Sequence, residues 1–233
     1  MAKIFETNAY QKEITTKITK IDTENQTIEL EDTIFYGQSG GQPGDTGQII
    51  IDGQKIEVKS TIKSEDVIKN ILQDINNLRI NQEVTAIIDW DKRYKYMRMH
   101  SALHLMCATV PLGVTGGQIG YEKSRLDFND PEKKINKEEI EGKINRLMKD
   151  DHKIIYEYID SKILESQPDL VRTMSVKPPK IIGKLRFVKI GDIDFQPCGG
   201  THVYSTKEIG EIKIGKIENK GRMNRRVNIL LND

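Results

Sequence analysis

The sequence predicts an α+β protein: a small antiparallel β-barrel-like domain over residues 1–89, followed by an α+β domain over residues 90–233. Three observations carry this. Up to residue 89 apolar and polar side chains alternate with period two, the pattern of half-buried strands. At Asp91 the pattern changes to a long helical segment ended by Pro111 and Gly113. Beyond it, short β-rich runs flank one strongly amphipathic helix.

Within the first domain, "EITTKITKI" and "TIELEDTIFY" read as strands. "GQIIIDGQKIEV" folds back at Asp52-Gly53, a favoured hairpin turn. "SEDVIKNILQDI" has a weak helical reading, and "EVTAIIDW" is the closing strand. Between them lies "FYGQSGGQPGDTG", with Gly37, Gly40, Gly41, Gly44 and Gly47. No Gly-Lys-Ser/Thr follows and no GxGxxG is present, so this is not a phosphate loop. Two readings stand: a long turn needing positive φ and close backbone approach, or a loop presented to RNA or another domain.

In the second domain "DKRYKYMRMHSALHLMCATV" is helical, with Met97, Ala102, Leu105 and Met106 on its packed face. "GGQIGYEKSRLDF" reads as strand. "NKEEIEGKINRLMKDD" is an amphipathic helix whose early acids and late bases suit the helix dipole. "KIIYEYI" and "KLRFVKIGDIDF" read as strands, "SKILESQ" as a short helix, and "GEIKIGKIENKGRMNRRVNILL" as a hairpin turning near Asn219–Gly221.

The 233 residues are 36% apolar and 30% charged, the balance of a soluble globular chain with a core. No stretch approaches the ~20 apolar residues of a membrane helix. The opening "MAKIFETNAYQKEITTK" has no apolar signal region, so a cytoplasmic location and no membrane partner are expected. A net charge of +1 excludes a uniformly basic nucleic-acid binder, but not local patches. Lys92, Arg93, Lys95 and Arg98 form one patch. Lys207, Lys213, Lys216, Lys220, Arg222, Arg225 and Arg226 form another. Either can be a solvated face or a surface for nucleic acid.

Cys198 and His202 sit four apart across Gly199 and Gly200 in "QPCGGTH". A disulfide, an activated nucleophile and half of a metal site all fit that spacing alone. Two cysteines in a reducing compartment argue against the disulfide. "HSALH" then decides between the others. His100 and His104 at i and i+4 stack on one helix face, where two imidazoles can converge on one ion, and thiolate with imidazole is the donor set zinc prefers. A nucleophilic Cys198 activated by His202 leaves "HSALH" unexplained. Cys107 shares the helix face but lies two turns from His100, so it reads as a small buried residue. The fourth histidine, His152, reads as exposed. Four protein donors are the usual mark of a structural zinc, since catalytic sites keep a position open. A zinc peptidase is disfavoured, because Ser101 stands where HExxH needs its Glu.

"HSALH" followed by "PCGGTHV" resembles the editing domain of alanyl-tRNA synthetase, and "FYGQSGGQPGDTG" is similar to the glycine-rich segment that precedes that domain. "GGQIGYEKSRLDF", "TKEIG" and "ENKGRMNRR" match the same pattern. With no room for an aminoacylation domain, the chain resembles the free-standing AlaX family of alanyl-tRNA editing proteins, in its medium-length class. The resemblance implies a zinc-dependent aminoacyl-tRNA deacylase acting on tRNA(Ala) mischarged with Ser or Gly, as monomer or weak dimer. It implies one zinc on His100, His104, Cys198 and His202. Gln118 matches a position beside the site, and Thr33 and Thr201 are candidate hydroxyls for the catalytic machinery. It assigns tRNA contacts to Lys92, Arg93, Arg98, Lys220, Arg222, Arg225 and Arg226, with Gly40 and Gly41 in the loop. A structural-zinc RNA-binding module without catalysis is the other class.

Overall fold

Six strands of a computed structural model, which describes residues 1–172 and 183–232, close into an antiparallel barrel near the N-terminus. Chain order begins with β1 (Ala2–Lys3), which pairs in parallel with β4 (Asp32–Thr33) outside the barrel. The barrel itself is β2 (Glu13–Asp22), β3 (Thr27–Leu30), β5 (Gly47–Ile51), β6 (Gln54–Ser64), β7 (Val67–Leu72) and β8 (Glu83–Ile88). They close in the order β2-β3-β7-β6-β5-β8. The alternation read from the sequence becomes the core: Ile18, Ile28, Leu30, Ile49, Val58, Leu72, Val84 and Ala86 point inward. Closure leaves the barrel no unpaired edge.

The expected Asp52-Gly53 turn is present, with positive φ at both residues (49° and 78°), as a two-residue hairpin requires. The weak helical reading of "SEDVIKNILQDI" is corrected: Val67–Leu72 is strand β7. Its apolar residues at 67, 68, 71 and 72 fit either period. Barrel closure decides, burying Ile68, Asn70 and Leu72 on one side.

The glycine-rich segment divides by residue. A Cβ on Gly44 would run into the Thr61 carbonyl, and one on Gly47 into that of Ile87. These two exist for close backbone approach. Gly40 and Gly41 have φ of +54° and +81°, between Ser39 and Gln42, whose backbones bond each other in both directions. They form an exposed two-residue turn.

The chain divides into two units after Lys95, inside helix α1 (Trp90–Thr109), rather than at residue 89. Arg93 gives one reason. Its guanidinium donates to Asp45, to the Ala9 carbonyl at 2.9 Å and to the Ile34 carbonyl at 2.6 Å, with 1% of the residue exposed. Trp90 and Tyr94 stack beside Tyr10. The first turn of α1 is therefore part of the N-terminal unit.

The second unit holds two antiparallel sheets. One contains β9 (Val114–Gln118), β10 (Ser124–Asn129), β14 (Ile212–Lys220) and β15 (Asn224–Leu231), ordered β14-β15-β10-β9. "GGQIGYEKSRLDF" is thus two strands and their turn. The other sheet is β11 (Ile154–Asp160), β12 (Lys184–Ile190) and β13 (Asp194–Pro197), in that order. Helix α2 (Lys137–Lys149) starts at Asn136, whose side chain accepts the Glu139 N–H, and buries Ile140, Ile144 and Met148. Its Asn145 and Glu141 side chains bond the backbone of Ile212 and Ile214, which covers the β14 edge. A four-residue helix, α3 (Ile163–Ser166), follows β11. Residues 99–107 of α1 are buried on every side, as for a helix through the middle of a core. No helix among the described residues is long and apolar enough to cross a membrane.

Candidate metal centre

Helix α1 supplies half of the site. His100 and His104, one turn apart, are 8% and 5% exposed, with ring centroids 5.3 Å apart. The loop after β13 supplies Cys198 and His202. His202 is fully buried, and its ring centroid lies 4.3 Å from that of His100 and 4.6 Å from that of His104. One nitrogen or sulfur from each of the four side chains falls within 4.8 Å of all the others. Cys198 Sγ lies 3.5 Å from His100 Nε2 and 3.4 Å from His202 Nε2. Tetrahedral zinc with bonds of about 2.3 Å to sulfur and about 2.0–2.1 Å to nitrogen needs S···N edges of about 3.5 Å. The donor set and its spacing therefore fit a tetrahedral metal ion.

The loop is held by side chains that do not ligate. Arg186 donates to the carbonyls of Cys198 (2.7 Å) and Gly200 (2.9 Å) and lies over the Tyr156 ring at 3.6 Å. The Tyr156 hydroxyl accepts the His202 N–H at 3.2 Å. Ser101 Oγ lies 3.2 Å from His202 Nδ1 and accepts the Val203 N–H. Asp194 Oδ2 lies 2.8 Å from His104 Nδ1, and Gln196 reaches both.

Burial alone would raise the Cys198 thiol, but the imidazoles of His100 and His202 beside it hold it well below its ordinary range. Burial and the His100 charge push His202 well down. Burial would lower His104 too, yet the hydrogen bond to Asp194 carries it up to about 10. A depressed thiol is what metal ligation needs, since the thiolate is the ligand. Cys107 is the contrast: buried as expected, with its thiol pushed up to about 12 by that burial.

The remaining expected site residues are placed as follows. Thr201 is fully buried between two of the four donors. Gln118 is exposed on β9 and accepts from Arg125 Nε at 3.3 Å. Thr33 is fully buried in the N-terminal unit, where its hydroxyl accepts the Phe35 N–H at 3.1 Å.

Two of the residues expected at the tRNA are buried. Arg93 is the buried partner of Asp45. Arg225 is 5% exposed and donates to the carbonyls of Gly221 and Asn224. Neither guanidinium presents itself to a phosphate. Arg98 donates to the Ile209 carbonyl, and Arg226 is paired with Asp127. Lys220 and Arg222 are exposed and Lys92 half-exposed, as are Gly40 and Gly41 in full.

Sequence reading did not find Asp194, Gln196, Tyr156 or Arg186. Asp194 and Gln196 precede Cys198 by four and two residues in a strand, so both face the site. That alternation was the available signal. Tyr156 and Arg186 come from other strands and had none.

Two family models match: "tRNA synthetases class II (A)" over residues 1–92, and "Threonyl and Alanyl tRNA synthetase second additional domain" over residues 185–228. The chain is 33% identical to the alanyl-tRNA editing protein AlaX-M of Methanosarcina acetivorans, over 97% of both chains. It is 35% identical to the AlaX-M of Saccharolobus solfataricus, over 94% of both. It is also 35% identical to the alanine–tRNA ligase of Staphylothermus marinus, covering 93% of this chain and 24% of the ligase. With identity at this level running over nearly its whole length, the chain belongs to the AlaX family of alanyl-tRNA editing proteins, alongside its AlaX-M members.

Proposed function

We propose that this chain is a trans-editing deacylase that hydrolyses the ester of mischarged tRNA(Ala), chiefly Ser-tRNA(Ala) and also Gly-tRNA(Ala), at a zinc held by His100, His104, Cys198 and His202. The observation that carries the reading is the convergence of one thiolate and three imidazoles at S···N spacings of 3.4 and 3.5 Å. The relatives' names, alanyl-tRNA editing protein, supply the substrate class.

The need for such an enzyme is physical. A pocket shaped for alanine rejects neither a missing methyl nor an added hydroxyl by more than modest factors, so a second site must remove the errors. Zinc, when bound, supplies a Lewis acid that polarises an ester carbonyl or a water. The chain's residues do the rest. Arg186 and Tyr156 hold the loop that carries Cys198 and His202. Thr201 and Gln118 are the candidates for binding the aminoacyl group and its serine hydroxyl. A site built to bond that hydroxyl would spare alanine. Lys92, Lys220 and Arg222 carry positive charge for the tRNA backbone.

The full set of four protein donors favours one second reading, a structural zinc in an RNA-binding module without catalysis. A single assay separates them. Purified protein incubated with Ser-, Gly- and Ala-tRNA(Ala) should release serine and glycine and spare alanine. Tight tRNA binding with no ester hydrolysis would establish the second reading instead.

A further inference from the structure

We propose that Asp194 is a positioning residue that turns the His104 ring so that Nε2, and not Nδ1, is offered to the metal. This rests on reading His100, His104, Cys198 and His202 as a zinc site, and deepens that reading.

His104 Nδ1 lies 2.8 Å from Asp194 Oδ2. A carboxylate can only accept, so the nitrogen at that distance is the donor. The ring then keeps a proton on Nδ1, and Nε2 gives up its own proton when it offers its lone pair to a metal. Gln196 Nε2 sits 3.0 Å from the same Nδ1 and 2.8 Å from the same Oδ2. With Nδ1 donating, the Gln196 amide hydrogen has the carboxylate as its acceptor there. The opposite assignment, with Gln196 donating to Nδ1, would place the ring proton on Nε2. It would also set two acceptors 2.8 Å apart at Asp194, and His104 would be lost as a ligand.

The arrangement is sealed from water, with 7% of the His104 side chain and none of Asp194 exposed. Arg172 Nε faces the other carboxylate oxygen at 3.6 Å and balances its charge. The same guanidinium donates to the Cys107 carbonyl at 3.0 Å, in the last turn of α1, so it joins the helix carrying His104 to the strand carrying Asp194. A carboxylate behind a ligating imidazole fixes the tautomer and the ring orientation, and makes Nε2 a stronger donor. In the equivalent place His202 has the neutral Ser101 hydroxyl.

The test is zinc affinity, measured by competition with a chromogenic chelator, for the wild-type chain and for Asp194→Asn, with melting of the zinc-free proteins alongside. Asp194→Asn is expected to bind zinc about 10–100-fold more weakly while its zinc-free form melts close to wild type. Unchanged zinc affinity overturns the proposal, and if only the zinc-free melting temperature drops, Asp194 is merely structural. A wild-type chain that takes up no zinc fails earlier, at the zinc reading, and removes this inference with it. If Asp194→Asn does not fold, the wild type alone decides. Long-range proton–nitrogen NMR spectra of the zinc-loaded chain should show His104 protonated on Nδ1 and ligated through Nε2. Ligation through Nδ1 overturns the proposal.

Discussion

Arg93 Nε donates to both carboxylate oxygens of Asp45, at 2.9 and 3.1 Å, with both side chains inside the N-terminal unit. Asp45 also accepts the Tyr36 N–H at 2.5 Å, so helix α1 is tied through one carboxylate to the end of the glycine-rich segment. Breaking a buried pair leaves a charge with no partner and no water, at a cost of about 3–5 kcal/mol. Arg93→Ala and Asp45→Ala should each lower stability by that order in urea unfolding. The double substitution Asp45→Leu with Arg93→Met should cost less than the two single changes together. If Arg93→Ala unfolds like wild type and only weakens tRNA binding, the arginine belongs to the RNA surface after all.

The glycines should separate into two groups. Gly44→Ala forces a Cβ into the Thr61 carbonyl and should prevent the barrel from folding or lower its melting temperature sharply. Nothing lies within 4 Å of a Cβ on Gly40, so Gly40→Ala should carry only the left-handed backbone cost, about 1–2 kcal/mol. Bulky residues at Gly40 or Gly41 should impair deacylation more than zinc binding. Wild-type deacylation by both bulky variants would leave the turn with no role beyond its shape.

The metal has a stoichiometric test. Elemental analysis of protein purified without added metal should find about one zinc per chain, since one sulfur and three nitrogens converge on one point. Full deacylation by a chain that stays metal-free after zinc reconstitution would remove the ion from the mechanism.

Catalytic and structural zinc differ in what a lost ligand does. Each unit has its own apolar core, so His104→Ala and Cys198→Ala should abolish Ser-tRNA(Ala) deacylation and leave a folded chain. A zinc finger would unfold without its ion. Gln118→Ala keeps all four donors and should stay zinc-loaded, with reduced activity or weaker serine-over-alanine discrimination. Room-temperature unfolding of Cys198→Ala beside a wild-type Gln118→Ala would make the zinc a staple.

Salt dependence can sort the basic residues. Exposed Arg222, if it meets a phosphate, should when replaced by Ala weaken tRNA binding and reduce the salt slope by about 1. Arg225, three residues on and buried, should leave the slope unchanged and lower the melting temperature instead. The opposite pattern would mean that the hairpin rearranges on the RNA.

The sequence by itself determined whatever periodicity and spacing can record. Alternation marked six of the seven strands from Glu13 to Ile88, all but Val67–Leu72, and the i,i+4 histidines of "HSALH" with the Cys-x-x-x-His of "CGGTH" marked the four donors that converge. Both signals are local, since each needs only the geometry of one helix, one strand or one loop. Where two periods fit equally, as in Val67–Leu72, only barrel closure could choose, because it is the partner strands that bury Asn70 and Leu72. The same holds for charge. Arg93 sits in a run that reads as a basic patch, and nothing near it in the chain announces Asp45, 48 residues away. Asp194 lies 90 residues from His104, and Arg186 reaches the Cys198 loop from the neighbouring strand. Tertiary structure alone decided which acids and bases met, because a side chain's partner is set by the packing of whole elements and not by its neighbours in sequence.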